Sequence, residues 1–162
     1  MRFHFAPSFT VSSLFAVTVW ATTALAAGSP LASLAPTDAA LLADVGSFHS
    51  LPIVDTIPRF VFDCCADAEG RLAKPGEPWS ATDAISIGQR LPRRRLLWAM
   101  QSEQLTVVHY EEGGFAHTYH VALLRRAWGP RDGTLIWQGD TGRFTDFEQF
   151  LRAQLRSLTS VR

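Results

Sequence analysis

The stretch that decides the fold is LTVVHYEEGGFAHTYHVALLRR, residues 105–126. Two runs rich in aliphatic, β-branched and aromatic residues, 105–112 and 115–126, flank Gly113 and Gly114. Runs of this composition favour strands, and a glycine pair tolerates the positive φ angles of a two-residue hairpin turn. The sequence therefore predicts an antiparallel hairpin whose turn is Gly113 and Gly114.

The sequence on either side extends this hairpin into a sheet. Apolar runs at residues 94–100 and 134–138 predict one further strand on each side, which gives an antiparallel meander of about four strands. Residues 53–65 alternate in the way typical of a strand, so we expect one N-terminal strand as well.

Two helices complete the predicted α+β fold. Thr37 can cap a short helix that ends near Gly46. Near the C-terminus Thr145 and Glu148 form a capping box, and the apolar residues that follow share one helical face, which predicts an amphipathic helix packed on the sheet. The predicted core consists of Phe60, Phe62, Leu97, Val108, Tyr119, Val121, Ile136, Phe147, Phe150, Leu151 and Leu155.

The composition excludes several classes of protein. The chain has 162 residues, 47% of them hydrophobic, and zero formal net charge, so it is neither a disordered tail nor a low-complexity filament. Two cysteines are too few for a disulfide-stapled scaffold. We expect a single core-stabilised domain.

The N-terminus is typical of a signal peptide. Basic groups at Arg2 and His4 precede an apolar stretch, and Ala24 and Ala26 have the small-x-small spacing that predicts cleavage after Ala26. The apolar stretch is short against the roughly 20 residues of a spanning helix, so no membrane span is expected after cleavage. We therefore expect a signal peptide at 1–26, a flexible linker at 27–36, one globular domain at 37–162, and a periplasmic or secreted protein.

The basic residues are nearly all arginine. The sequence has 14 arginines, one lysine and no asparagine, a bias that indicates a GC-rich bacterial genome. Arg93, Arg94 and Arg95 form the densest basic run, but a neutral chain lacks the broad positive field that nucleic acid requires. We expect this run either to be a solvated strand entrance or to dock an acidic segment or partner, with the loop residue Trp79 as a second anchor.

Histidines supply one hypothesis for chemistry. In the predicted hairpin register His109 and His120 are diagonal neighbours on one face with Glu111 beside them, while His117 points the other way. Two imidazoles and a carboxylate can hold a metal or transfer protons. The alternative is a half-exposed polar face with ordinary hydrogen bonds.

Cys64 and Cys65 supply another hypothesis, because they are the two cysteines of the chain and are adjacent. Three interpretations remain open: two buried free thiols, a vicinal disulfide, or a thiol available for an intermolecular bond or a soft metal such as Cu(I). A redox Cys-x-x-Cys motif is absent.

The motifs of common enzyme classes are absent from the sequence. Asp140-Thr141-Gly142 resembles the motif of aspartic proteases over three residues, but its flanking residues do not fit, and it predicts only a turn. No cofactor is predicted. The sequence favours a non-catalytic binding domain for a protein or small ligand, with a metal- or thiol-dependent protein as the alternative.

Overall fold

The computed structural model describes residues 30–51, 57–82, 90–127 and 132–159. The helices in these ranges are α1 (Pro36–Ala43), α2 (Arg59–Cys65) and α3 (Phe147–Thr159), with short 3₁₀ helices at Pro30–Ser33 and Val45–Ser47. The strands are β1 (His49–Ser50), β2 (Arg94–Gln101), β3 (Leu105–Glu112), β4 (Thr118–Arg126) and β5 (Gly133–Thr141).

The five strands form one antiparallel sheet in the order β1-β2-β3-β4-β5. The α+β class and the antiparallel meander are therefore confirmed. β5 is longer than predicted and continues through Asp140 and Thr141, so the turn predicted at those two residues is wrong.

The N-terminal strand predicted at residues 53–65 is wrong over 59–65, where the chain forms α2. Pro58 immediately precedes this helix, and Val61 and Cys65, one helical turn apart, are both fully buried. Because the run is short and five of its seven residues are apolar, its sequence pattern does not distinguish a buried helix from a strand. Residues 53–56 of that prediction lie outside the described residues. The first strand is instead β1, whose His49 pairs with Gln101.

The hairpin exists, but its predicted two-residue turn is wrong. Glu112 pairs with Thr118, so five residues, 113–117, connect β3 to β4. Gly113 is needed for a close approach: a Cβ there would lie 2.0 Å from the Ser80 carbonyl oxygen. The observed pairing differs from the predicted one by three residues, and an odd shift moves every β4 side chain to the opposite face relative to β3.

The two faces of the sheet carry two separate buried clusters. On the first, which we call the α2 face, Val108 and Ala122 pack with Phe60 of α2. On the second, the α3 face, Val107 lies in one cluster with Phe150 of α3. The α2-face cluster contains Leu51, Phe60, Val61, Cys65, Leu72, Leu96, Ala99, Val108, Tyr110, Ala122 and Leu124. The α3-face cluster contains Leu42, Leu105, Val107, Val121, Leu123, Phe147, Phe150 and Leu151.

A β-bulge in β2 explains one error in the predicted core. The register shifts between Leu96 and Trp98, so Leu96 lies on the α2 face and Trp98 packs on the α3 face. Leu97 lies at the bulge and is only partly buried. Phe62, Tyr119 and Ile136 are also partly buried, whereas Phe60, Val108, Val121, Phe147, Phe150 and Leu151 are buried as predicted.

The predicted signal peptide at 1–26 lies outside the described residues. Residues 30–36 of the predicted linker are among the described residues. They form a 3₁₀ helix and the start of α1, and Leu31 and Leu34 pack against the α3-face cluster. Within the ranges that the structure describes, no helix combines the length and hydrophobicity needed to span a bilayer.

Candidate functional site

The structure does not bring the predicted metal ligands together. His109 pairs with Val121 and so lies on the α3 face, whereas His120 pairs with Tyr110 and lies on the α2 face. Glu111 lies on the same face as His109, two residues along β3. In the parts of the chain that are described, no three side chains among His, Cys, Asp and Glu are arranged to hold a metal.

His109 is fully buried, and backbone groups occupy both of its ring nitrogens. The Phe144 N–H donates to Nε2 at 3.2 Å, so Nδ1 carries the proton and donates to the His120 carbonyl oxygen at 2.9 Å. Burial lowers the pKa of His109, which keeps the imidazole neutral. His109 therefore joins the segment before α3 to the sheet, and Trp98 Nε1 does the same by donating to the Phe144 carbonyl oxygen at 3.1 Å.

Glu111 is the buried centre of a charge network, which we call the Glu111 cluster: Trp79, Arg95, Glu111 and His117. Glu111 is 2% exposed. Arg95 contacts Glu111 Oε1 through Nε and Nη2, both at 2.5 Å, and His117 Nε2 lies 2.7 Å from Oε2. The prediction that His117 points away from Glu111 followed from the wrong register and is itself wrong.

Trp79 covers this cluster. The Arg95 guanidinium carbon lies 4.8 Å from the centre of the Trp79 ring, and the His117 ring lies 5.3 Å from it. These are favourable cation–π and ring contacts. Through its contacts with Arg95 and His117, Trp79 joins its loop to the sheet.

The three predicted docking arginines do not share one surface. Arg95 lies on the α3 face, as above. Arg94 lies on the α2 face, where it contacts Glu112 at 2.8 Å and donates to the Ala66 carbonyl oxygen at 2.8 Å. Arg93 is exposed, and its backbone N–H donates to the buried Asp67 carboxylate at 3.0 Å.

The pKa of the Asp67 carboxyl is lowered. Burial by itself would raise this pKa, but hydrogen bonds from the backbone N–H groups of Arg93, Arg71 and Glu69, together with the charge of Arg71, outweigh burial.

His120 belongs to a second polar group on the α2 face, the His120 cluster: Thr118, His120 and Asp140. Its Nδ1 lies 2.8 Å from Asp140 Oδ1, and its Nε2 lies 2.9 Å from Thr118 Oγ1. Sequence reasoning placed Asp140 only in a predicted turn and missed it as the partner of His120. It lies twenty residues from His120 along the chain and comes opposite it only through the β4–β5 register.

Cys64 and Cys65 form a vicinal disulfide at the end of α2, the second of the three interpretations left open by the sequence. Cys65 is fully buried and Cys64 partly buried. A disulfide between adjacent residues closes almost no chain, so it constrains the unfolded state little and is not a stabilising staple.

An apolar cavity of about 340 Å³ lies between the N-terminal helices and α3. Its lining residues are Leu31, Leu34, Ala39, Leu42, Ala43, Val45, Glu148, Leu151, Arg152 and Gln154. A second cavity, of about 590 Å³, lies beside α2 and mixes apolar with charged side chains, including Arg59, Asp63 and Asp67.

No protein-family model matches the chain, and no curated protein or solved structure is significantly similar to it. The residues and their geometry therefore carry the functional argument. The features that bear on it are the apolar cavity and the two polar clusters.

Proposed function

We propose that the protein is an exported binding domain that holds a small, uncharged apolar molecule in the cavity between α1 and α3. The observation that carries the proposal is the cavity itself. Ligand sites are typically concave, about 300 to 1,000 Å³ in volume and mostly apolar, with few polar groups. At about 340 Å³, with seven aliphatic residues among the ten lining residues that the structure describes, this cavity has those properties.

The rim of the cavity favours an uncharged ligand. Its charged residues are Glu148 and Arg152, which pair with each other at 3.4 Å as i and i+4 neighbours on α3. Among the described lining residues, the pair therefore leaves no net charge for an ionic headgroup. The described residues of the lining include no nucleophile or imidazole, so we expect a ligand bound there to leave unchanged.

Export to the periplasm or the exterior rests on the sequence. The signal-peptide pattern at residues 1–26, with cleavage after Ala26, removes the apolar N-terminal stretch. The bias towards arginine supports a bacterial source. We propose that the mature chain begins at Ala27 and that its first 3₁₀ helix, Pro30–Ser33, contributes Leu31 to the cavity wall.

The test is binding of an uncharged fluorescent probe, N-phenyl-1-naphthylamine, to the chain that begins at Ala27. We expect saturable fluorescence enhancement. In Ala43→Phe the ring occupies the cavity, because Ala43 is an exposed residue of α1 that lines it. We expect the affinity of this variant for the probe to fall at least about tenfold, which is about 1.4 kcal/mol.

Ala40→Phe is the matched control. Ala40 is also an exposed alanine of α1 but is not among the lining residues, so its affinity should equal that of the parent chain. Absence of saturable binding would overturn the proposal, as would equal affinities in the two variants. A concentration-dependent dimer by light scattering that Ala43→Phe abolishes would also overturn it, since the cavity would then be a surface for self-association.

A further inference from the structure

The three described histidines at the hairpin end differ in what their ring nitrogens contact. Backbone groups occupy both nitrogens of His109. His117 directs Nε2 at the Glu111 carboxylate. His120 directs Nε2 at a side-chain hydroxyl and Nδ1 at a carboxylate, an arrangement that the proposed binding function does not use.

The carboxylate beside His120 favours one tautomer of its ring. Asp140 Oδ1 lies 2.8 Å from Nδ1 of His120, and a carboxylate has no proton to donate, so the proton of the neutral imidazole is favoured on Nδ1. In that tautomer Nε2 is the acceptor. The Thr118 hydroxyl, 2.9 Å from Nε2, is then the donor of that contact. The imidazole is thus placed as a base for the Thr118 proton.

Neighbouring side chains fix the plane of the His120 ring. Tyr110 stacks on it with ring centres 5.0 Å apart and an angle of 18° between planes. Tyr110 is fully buried, accepts a hydrogen bond from Gln138 Nε2 and lies 5.5 Å beneath the Arg94 guanidinium. Glu112, 3.8 Å from His120 Nε2, is itself held by Arg94 at 2.8 Å. The imidazole is therefore oriented before any substrate arrives.

The cluster is also reachable from solvent. The Asp140 side chain is 84% exposed, the His120 side chain 13% exposed, and Thr118 is partly exposed. An alcohol whose proton is accepted by an imidazole, which in turn is oriented by a carboxylate, is the general arrangement of an activated nucleophile. Both contacts lie within the hydrogen-bond range that such activation needs.

We propose that Thr118 is an acyl-accepting nucleophile with His120 as its general base and Asp140 as the positioning residue, acting on carboxylic esters with good leaving groups. Thr118 Oγ1 attacks the ester carbonyl carbon while its proton passes to His120 Nε2. The carbon–oxygen bond to the leaving group then breaks, and the leaving group takes that proton from His120. Water, with His120 again as base, hydrolyses the acyl-threonine to a carboxylic acid and restores the hydroxyl.

This inference is independent of the proposed ligand cavity. The cavity includes Leu42 and Leu151 of the α3-face cluster, whereas Thr118 and His120 lie on the α2 face. A variant that loses probe binding should therefore keep acyl transfer, and a variant that loses acyl transfer should keep probe binding. Ala43→Phe should leave the reaction with esters unchanged.

The test is incubation of the chain with p-nitrophenyl acetate. We follow p-nitrophenolate release by absorbance and locate the adduct by peptide mass spectrometry. We expect one acetyl group on the peptide that contains Thr118 and a release rate that falls about 100-fold in Thr118→Val and in His120→Gln. Thr118→Ser should retain the reaction, which keeps the test decisive if Thr118→Val folds poorly.

Two comparisons separate positioning from a merely structural effect. Asp140→Asn should slow acylation because an amide can also donate a hydrogen bond and no longer selects the tautomer, while Asp140→Glu should restore part of the rate. Thr134→Val, on β5 opposite Arg125, is the matched threonine control and should leave the rate unchanged. Acetylation confined to other residues, or an unchanged rate in Thr118→Val, would overturn the proposal.

Discussion

The Glu111 and His120 clusters are built from the same chemical groups at the same end of the sheet, but on opposite faces. Each sets a carboxylate against an imidazole at less than 3 Å. In the Glu111 cluster, residue Glu111 is 2% exposed, and its carboxylate is also bound by Arg95, which lies against the Trp79 ring. In the other the carboxylate side chain is 84% exposed, and the second imidazole nitrogen faces a hydroxyl.

This difference shows how burial assigns roles to identical groups. A buried carboxylate must be paired, because removing its partners leaves an uncompensated charge in a medium of low polarity. Glu111 is therefore tied to the architecture. An exposed carboxylate contributes little to stability, since water screens it. Asp140 can consequently orient an imidazole without holding the fold together, which is what a site for chemistry requires.

The largest expected effect concerns the packing of the α3 face, where the Glu111 cluster lies. Phe150 is fully buried among Val107, Val121 and Leu123. Phe150→Ala should lower the free energy of unfolding by about 3 to 5 kcal/mol, measured by chemical denaturation. Phe115→Ala is the matched control, because Phe115 is fully exposed and should change stability by less than about 0.5 kcal/mol. Equal stabilities in the two variants would mean that α3 does not dock on the sheet.

The next effect tests the two carboxylates directly. Glu111→Gln leaves Arg95 without its buried counter-charge and should cost about 2 to 3 kcal/mol of unfolding free energy, below the cost for a fully buried pair because Arg95 and His117 are partly exposed. Asp140→Asn should cost less than about 1 kcal/mol. Denaturant titrations of the two variants side by side give the comparison, and a larger loss for Asp140→Asn would reverse the roles assigned here.

A smaller effect concerns the loop that covers the Glu111 cluster. Gly113→Ala places a Cβ 2.0 Å from the Ser80 carbonyl oxygen, so the backbone around Trp79 must shift. We expect a loss of about 1 to 3 kcal/mol and a change in tryptophan fluorescence. Gly142→Ala is the matched control, since nothing lies within 4 Å of a Cβ there. If the two variants behave alike, the loop is not held against the hairpin.

The smallest effect is the pH dependence that arises from His109. Burial lowers its pKa in the folded state below the value of 6.5 expected in the unfolded chain, so below pH 6.5 the unfolded state binds a proton that the folded state excludes. This contribution to stability is fully present above pH 6.5 and is lost as the pH falls towards the folded-state pKa, with a slope of at most about 1.4 kcal/mol per pH unit.

His109→Gln isolates this contribution, because glutamine retains polar groups but does not titrate. Unfolding free energies measured at intervals from pH 7.5 to pH 5 should fall more steeply for the parent chain than for the variant. Parallel curves would show that protonation of His109 is not linked to folding.

The strands of the meander could be predicted because each is long enough to show its composition between polar, glycine- or proline-containing segments. α2 could not, since a seven-residue run in which five residues are apolar fits a buried helix as well as a strand. The hairpin was predicted, but its register was not. Gly113 is a glycine because the loop at Ser80 lies against it, and that contact joins residues 33 positions apart.

In the candidate sites, too, the sequence identified residues but not their contacts. It identified three residues capable of chemistry or contact but not the partners of these residues. The three are Glu111, His120 and Trp79. An error of three residues in the hairpin register placed His120 on the same face as His109 and so produced the predicted metal site. The observed partners come from other strands or from the hairpin loop. Glu111 contacts Arg95 and His117, and His120 contacts Asp140.

The sequence by itself determined the α+β class, the antiparallel meander and the apolar face of the last helix, because composition and periodicity act over a few neighbouring residues. Only the tertiary structure decided which imidazole meets which carboxylate and which of those pairs is buried. Those outcomes depend on strand register and on the Ser80 loop that packs against Gly113, and both join residues far apart in the chain.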